Sequence, residues 1–235
     1  MNLLLVNQQE IDDQGCVLLF DRRHQHIKTI HRLGKGDRLQ VGVLNGLCGE
    51  AEIIEHQADA TRIKLNLYRK PPAALPVTLL LALPRPRMLA RSLEHLATLG
   101  VKKIILMQTA RVEKSYWQSP ELKPEKIHHH LILGLEQAKD TLLPEVTVKQ
   151  LFKPFVEDEL AALAANSRKL VAHPGNYPAC PRGISEQLTL AIGPEGGFVD
   201  FEIQLLEAQG FQAVQMGERI LRVETAVTAL LARLF

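Results

Sequence analysis

Short apolar runs that alternate with helical segments dominate the sequence from Val77 onward and limit the folds open to it. The run VTLLLAL (77–83) is continuous, as in strands of a parallel sheet that are buried on both faces. Similar runs are KIILM (103–107), KLVAH (169–173), LTLAI (188–192) and AVQMG (213–217). Helical patterns lie at 88–100, 124–141, 201–210 and 223–235. This alternation predicts an α/β domain with a parallel sheet.

The residues before Lys70 have a different pattern, in which short β-like runs are separated by turn residues. Asn45-Gly46 is a strong hairpin signal. Strands are predicted at 16–20, 37–46, 47–56 and 61–68, with a more helical segment at 24–33. Short strands at this spacing favour a small barrel. Prolines cannot donate a backbone hydrogen bond, so the proline-containing segment that follows predicts a linker. The domains are therefore expected at 1–70 and 77–235, with the linker at 71–76.

Composition and cysteine spacing exclude several classes of protein. The chain has 235 residues, of which 46% are hydrophobic and 23% charged, as in ordinary globular proteins. No run approaches the ~18 apolar residues of a membrane helix, and the N-terminus has no signal-peptide pattern. The three cysteines are far apart and form no Cys-x-x-Cys pair. We expect a cytoplasmic protein that has no membrane partner.

One window of the sequence is strongly basic although the whole chain carries a net charge of only +2. Between Arg85 and Trp117 there are seven Lys or Arg residues and two Glu residues, a net charge of +5. A local excess of this kind attracts phosphates. A solvated surface explains the same pattern, and the charge alone does not decide between the two.

A glycine-rich stretch, GPEGG (193–197), follows one predicted strand and precedes a predicted helix. Glycine lets a ligand approach the main chain closely. Nucleotides bind at such strand-to-helix turns in α/β proteins. The stretch matches neither a Walker loop nor Gly-x-Gly-x-x-Gly. By itself it predicts a ligand loop or a plain tight turn, with Asp200 as the N-cap of the following helix.

A second motif, MGERILRVETA (216–226), follows the last predicted strand. Together with IGPEGGF (192–198), it closely resembles the paired C-terminal motifs of the SPOUT RNA methyltransferases, and more specifically those of the RsmE family. That family methylates N3 of a uridine in 16S ribosomal RNA. The N-terminal strands resemble the family's PUA-like domain, and further similarity lies at 96–112, 135–146 and 171–175.

The resemblance implies a fold, a cofactor and an assembly. The α/β domain would tie a C-terminal trefoil knot and bind S-adenosylmethionine, without a metal. The cofactor-binding residues would be Ile192, Gly193, Pro194, Gly196, Gly197, Met216, Gly217, Ile220 and Leu221. A side chain at Gly196 would then fill space that the ligand needs. The protein would be a homodimer through its last helix, whose apolar stripe is formed by Val223, Val227, Leu230 and Leu234. The same stripe could instead be buried inside one chain.

The resemblance also suggests residues for catalysis and RNA binding. Arg222 would stabilise the uridine anion or orient an RNA phosphate, and Glu224 would accept the proton or hold Arg222. Structural pairing is an alternative role for each of them. RNA phosphates, in 16S rRNA or the small ribosomal subunit, would be bound by Arg85, Arg87, Arg91 and Arg111. The segment expected to face RNA departs from the family pattern at His95, Thr98, Val112 and Asp140.

Two other functions therefore stay open. One is a SPOUT methyltransferase with another RNA target, and the other is a non-catalytic RNA-binding relative. The three consecutive histidines at 128–130 do not change this choice, because neighbouring residues on a helix point in different directions. We expect surface or core roles for them rather than metal binding.

Overall fold

The computed structural model describes residues 2–235, which divide into two compact units. The N-terminal unit contains the residues through Ala73 together with 132–143, and the C-terminal unit contains 74–131 and 144–235. The division near residue 73 is close to the predicted linker. The sequence did not indicate that 132–143 belongs with the N-terminal unit.

The N-terminal unit is built on a five-stranded sheet with the order β1-β3-β4-β5-β2. Parallel pairing joins β1 to β3, and all other pairs are antiparallel. The strands are β1 (Leu4–Val6), β2 (Cys16–Leu19), β3 (Arg38–Val43), β4 (Cys48–His56) and β5 (Thr61–Arg69). A 3-10 turn lies at Gln8–Glu10, and helix α1 (Arg22–His26) continues as a π-helical turn (Ile27–His31). The four predicted strands and the hairpin are confirmed, while β1 was not predicted.

The segment 132–143 is held in the N-terminal unit by polar contacts. The buried Glu136 carboxylate accepts two hydrogen bonds from Arg22, at 2.8 and 2.9 Å. The Glu136 carbonyl accepts from the amides of Asn2 and Leu3. Thr141 donates to the carbonyl of Gly46 at 2.6 Å. Such contacts connect residues about a hundred positions apart, so they leave no local signal in the sequence.

The C-terminal unit contains a six-stranded, all-parallel sheet with the order β11-β9-β10-β6-β7-β8. Its strands are β6 (Val77–Ala82), β7 (Lys103–Met107), β8 (Glu145–Lys149), β9 (Arg168–Ala172), β10 (Leu188–Ile192) and β11 (Gln212–Val214). The predicted α/β class is confirmed. The last strand is shorter than predicted and ends before Met216. Strand β8 was missed because this edge strand is largely exposed and has no continuous apolar run.

The helices after the linker include four close to the predicted positions and a helical stretch at 152–163 that the sequence did not predict. They are α2 (Pro86–Thr98), α3 (Pro124–Ala138), α4 (Phe152–Pro154) with a π-helical turn (Phe155–Glu159), α5 (Leu160–Leu163), α6 (Asp200–Ala208) and α7 (Val223–Leu234). Two 3-10 turns lie at Lys114–Gln118 and Pro120–Leu122. The predicted N-cap at Asp200 is wrong by one residue. Val199 occupies the cap position, and the Glu202 carboxylate accepts a hydrogen bond from its amide.

The apolar stripe of α7 is buried inside the C-terminal unit. Each of its four residues is at most 4% exposed, and α7 packs against α2. The structure thus favours the alternative that the stripe is buried inside one chain, and the homodimer stays a prediction. No helix within residues 2–235 combines the length and apolar character needed to cross a membrane.

Candidate functional site

A cavity that is open to solvent lies in the C-terminal unit at the carboxyl ends of β9, β10 and β11. Ligands of α/β proteins characteristically bind at this end of a parallel sheet. The walls come from the residues that follow each of the three strands and from the start of α7. The topology thus brings together two glycine-containing segments that are about twenty residues apart in the sequence.

The first glycine loop, residues 193–197, is compact and tightly packed. Gly197 donates its amide to the carbonyl of Pro194 at 2.8 Å and has a φ of +73°. A Cβ atom on Gly193 would lie 3.1 Å from both the ring and the amide nitrogen of Phe198. The absent side chains let the main chain turn back on itself and line the cavity.

The second glycine loop, residues 216–222, has more open surroundings. Gly217 has a φ of +114°, which side-chain-bearing residues rarely adopt. No atom of residues 2–235 would lie within 4 Å of a Cβ on Gly217, and the Gly217 amide donates to the side chain of Gln215. Ile220 lines the cavity and is 79% exposed. Here glycine is needed for the backbone conformation and not for space.

His173, directly after β9, brings an unpaired polar atom to the cavity. Its Nδ1 is buried and has no hydrogen-bond partner within residues 2–235, although its amide donates to the carbonyl of Val214 at 3.0 Å. The ring lies against Tyr177 and Phe198. Burial lowers the pKa of His173, Asp200 opposes that shift and Arg111 reinforces it. A neutral imidazole at this position can exchange a hydrogen bond with a ligand.

Eight of the nine residues expected to bind the cofactor line this cavity. The exception is Gly196, where a Cβ would lie 2.9 Å from Cδ of Arg111. Glycine at position 196 therefore makes room for the Arg111 side chain, whereas the sequence predicted that it makes room for the ligand. The cavity also includes Glu195, Arg219 and His173, which the sequence did not single out as binding residues. Their positions in the sequence could have indicated them as binding residues, because each lies at the end of a predicted strand or shortly after a glycine of the two motifs.

The two catalytic candidates, Arg222 and Glu224, lie at the start of α7, part of which lines the cavity. Arg222 is exposed at the N-cap position of α7, and its side chain forms no hydrogen bond or ion pair with any of residues 2–235. Glu224 is half-buried in the first turn of the same helix. Neither lines the cavity, whereas Val223 between them does. Both candidates are thus next in sequence to a lining residue, but they are not part of the lining themselves.

The four arginines expected to bind RNA are all exposed, and two of them reach the first glycine loop. The main-chain amide of Arg85 donates to the Glu195 carboxylate at 3.3 Å. The Arg111 guanidinium donates to the carbonyl of Gly196. Arg87 and Arg91 lie on α2. The basic window and the cavity are therefore joined by direct contacts.

Comparisons with known proteins agree with this arrangement. The sequence model of the RNA methyltransferase domain matches residues 71–235. The chain is 36% identical to the ribosomal RNA small subunit methyltransferase E of Treponema pallidum, over 97% of this chain and 88% of that protein. The corresponding protein of Synechocystis is 30% identical over 98% and 76% of the two chains. The fold is also that of a Neisseria gonorrhoeae ribosomal RNA small subunit methyltransferase E, crystallised bound to S-adenosyl methionine. The TM-score is 0.77 at 20% identity, over 99% and 95% of the two chains.

Proposed function

The chain belongs to the ribosomal RNA small subunit methyltransferase E family, and on that premise we propose that it methylates N3 of a uridine in 16S rRNA with S-adenosylmethionine as methyl donor. The observation that carries the proposal is the cavity formed by the two glycine loops at the carboxyl ends of β9, β10 and β11. It is built from the two motifs that identify the family in the sequence.

The residues present fit S-adenosylmethionine. Main-chain groups of the two glycine loops offer donors and acceptors for a nucleoside, while Ile192, Met216 and Leu221 offer apolar walls. The unpaired Nδ1 of His173 needs a polar partner, which a bound adenosyl group has. When bound, the sulfonium supplies an electrophilic methyl group.

The chain's own contribution to the chemistry concerns the uridine proton. N3–H is a weak acid, so the proton must leave as the nitrogen attacks. We assign stabilisation of the anion to Arg222 and proton acceptance to Glu224. The exposed Arg222 has no partner within the described chain to compete for its charge, which supports this role.

Arg222→Ala should lower turnover on the order of a hundredfold, the typical cost of removing one charge-stabilising donor. Affinities for S-adenosylmethionine and rRNA should change much less, because the charge matters most as N3 becomes anionic. Single-turnover methylation and separate binding titrations measure the two effects. Arg182→Ala, an exposed arginine of the same unit that does not line the cavity, is the matched control. Normal turnover of Arg222→Ala would place the catalytic charge elsewhere.

The proposal includes the finer features that the family resemblance implies. They are a trefoil knot around the cavity, a PUA-like N-terminal domain and a cytoplasmic location. Support for the knot comes from the sheet order, in which β9 lies between β10 and β11. Support for the PUA-like domain comes from the five-stranded, mostly antiparallel sheet of the N-terminal unit.

A homodimer also stays a prediction, and it needs a surface other than the buried stripe of α7. Light scattering tests it.

RNA binding is assigned to the N-terminal unit and the basic window. Replacing Arg85, Arg87 and Arg91 by Ala should weaken rRNA binding and flatten its salt dependence, because phosphate contacts release counterions. Affinity for S-adenosylmethionine should stay the same, since the contact of Arg85 with Glu195 uses the main chain. Titrations at several salt concentrations test both points. Full rRNA affinity of the triple variant would identify the window as a solvated face.

The test of the function is nucleoside mass spectrometry of 16S rRNA from a strain that lacks this protein. N3-methyluridine should disappear and should return when the wild-type gene is restored. Persistence of the modified nucleoside would contradict the proposal. Methyl transfer to another RNA would then favour a different target, and S-adenosylmethionine binding without transfer to any RNA would favour a non-catalytic relative.

A further inference from the structure

The turn that carries Arg111 is anchored on both sides. Gln108 donates its side-chain amide to the carbonyl of Val112 at 2.9 Å. The amide of Ala110 donates at 2.6 Å to the buried carboxylate of Glu202 in α6. The second oxygen of that carboxylate accepts from Val199, just after the first glycine loop. Arg111 therefore extends from a turn that is fastened to the same region as the loop.

The side chain of Arg111 lies against Gly196, and Gly196 is shaped to receive it. The guanidinium donates to the Gly196 carbonyl. A Cβ on Gly196 would lie 2.9 Å from Cδ and 3.4 Å from Cβ of Arg111. Gly196 is not among the glycines with positive φ, so its backbone conformation does not require glycine. Glycine is required at this position because a side chain would occupy the space of the Arg111 side chain.

We propose that Arg111 is a positioning residue of the methyl-donor site, which fixes the first glycine loop through the carbonyl of Gly196. This role differs from the phosphate contact expected from the sequence and requires no RNA. The inference rests on the proposed function, because the loop it positions lines the cavity assigned to S-adenosylmethionine. A hydrogen bond from a charged donor that holds a loop contributes to ligand affinity by preorganisation.

The test is calorimetric titration of the full-length chain with S-adenosylmethionine in the absence of RNA. Arg111→Ala should weaken binding on the order of tenfold, the equivalent of one charge-assisted hydrogen bond. Arg111→Lys should recover part of the loss, since it keeps the charge but not the planar fork. Arg87→Ala is the matched control, because it removes an exposed arginine of the same window that has no contact with the loop. Its affinity should equal that of the wild type, and all variants should keep the wild-type unfolding temperature.

A double-mutant cycle separates positioning from a general effect on the fold. Gly196→Ala should weaken S-adenosylmethionine binding by itself, because the methyl group displaces the Arg111 side chain. In the Arg111→Ala background the same change should have little further effect, since the clash is gone. Additive losses would show that the two residues act independently and would overturn the inference.

The outcomes also distinguish this inference from the proposed function. Wild-type affinity of Arg111→Ala for S-adenosylmethionine, with a loss of rRNA affinity, would make Arg111 an RNA ligand only and overturn the inference alone. A wild-type chain that binds no S-adenosylmethionine would overturn the proposed function, and the inference with it.

Discussion

The two glycine loops line one cavity but are built in opposite ways. The first, 193–197, is packed against Phe198 and held from outside by Arg85 and Arg111. The second, 216–222, has open space around Gly217 and one strongly exposed apolar residue, Ile220. The ligand site thus has one wall fixed by neighbours and one wall fixed mainly by its own backbone.

This difference shows that similar glycines can have different physical roles. Gly193 and Gly196 avoid collisions with named neighbouring atoms, so the penalty for substitution should be steric. Gly217 adopts a φ of +114° with no neighbour to collide with, so its penalty should be conformational. Substitutions at these glycines can therefore distinguish a steric penalty in the first loop from a conformational penalty in the second.

The largest effect is expected for Gly193→Val. The side chain would meet the Phe198 ring and main chain, so the first glycine loop or Phe198 must move to make room for it. Overpacking of this kind costs roughly 3 kcal/mol, equivalent to about a hundredfold in affinity if it acts on the bound conformation. Calorimetry with S-adenosylmethionine and urea unfolding measure the two contributions. Gly34→Val, at a site with open space and no positive φ, is the control. Unchanged binding by Gly193→Val would mean that the cavity does not depend on the packed loop.

A smaller effect is expected for Gly217→Ala. The methyl group meets no atom within 4 Å, so only the strained backbone opposes it, at a cost of about 1–2 kcal/mol. Because the second loop has open surroundings, it can relax in the free protein, and the loss should appear in S-adenosylmethionine affinity more than in the urea midpoint. Equal losses in both measurements would show that this loop is as firmly held as the first.

Features that are encoded in one contiguous segment could be predicted from the sequence, whereas contacts between distant residues could not. The buried strands were found because β6 and β10 are continuous apolar runs, and the glycine loops were found because both motifs are contiguous. The contact between Arg111 and Gly196 joins residues 85 positions apart, so neither local pattern indicates it. His173 was missed as a site residue because a lone histidine is usually ordinary. Its unpaired Nδ1 results from packing that no single segment encodes.

The smallest effect concerns pH and the fixed side of the cavity. Burial lowers the pKa of His173 in the folded state, Arg111 acts in the same direction and Asp200 in the opposite one. As pH falls through the ordinary histidine pKa of 6.5, the unfolded chain takes up the proton first, so stability present at neutral pH is lost. His173→Asn should therefore flatten the change in urea midpoint between neutral and mildly acidic pH, whatever its effect on absolute stability. The pKa of His26, in the N-terminal unit, is also lowered. His26→Asn is therefore the matched control, because it shows how much of the acid dependence comes from a histidine outside the C-terminal unit. If His173→Asn leaves the acid dependence unchanged while His26→Asn removes it, the imidazole at the cavity is not held neutral by its surroundings.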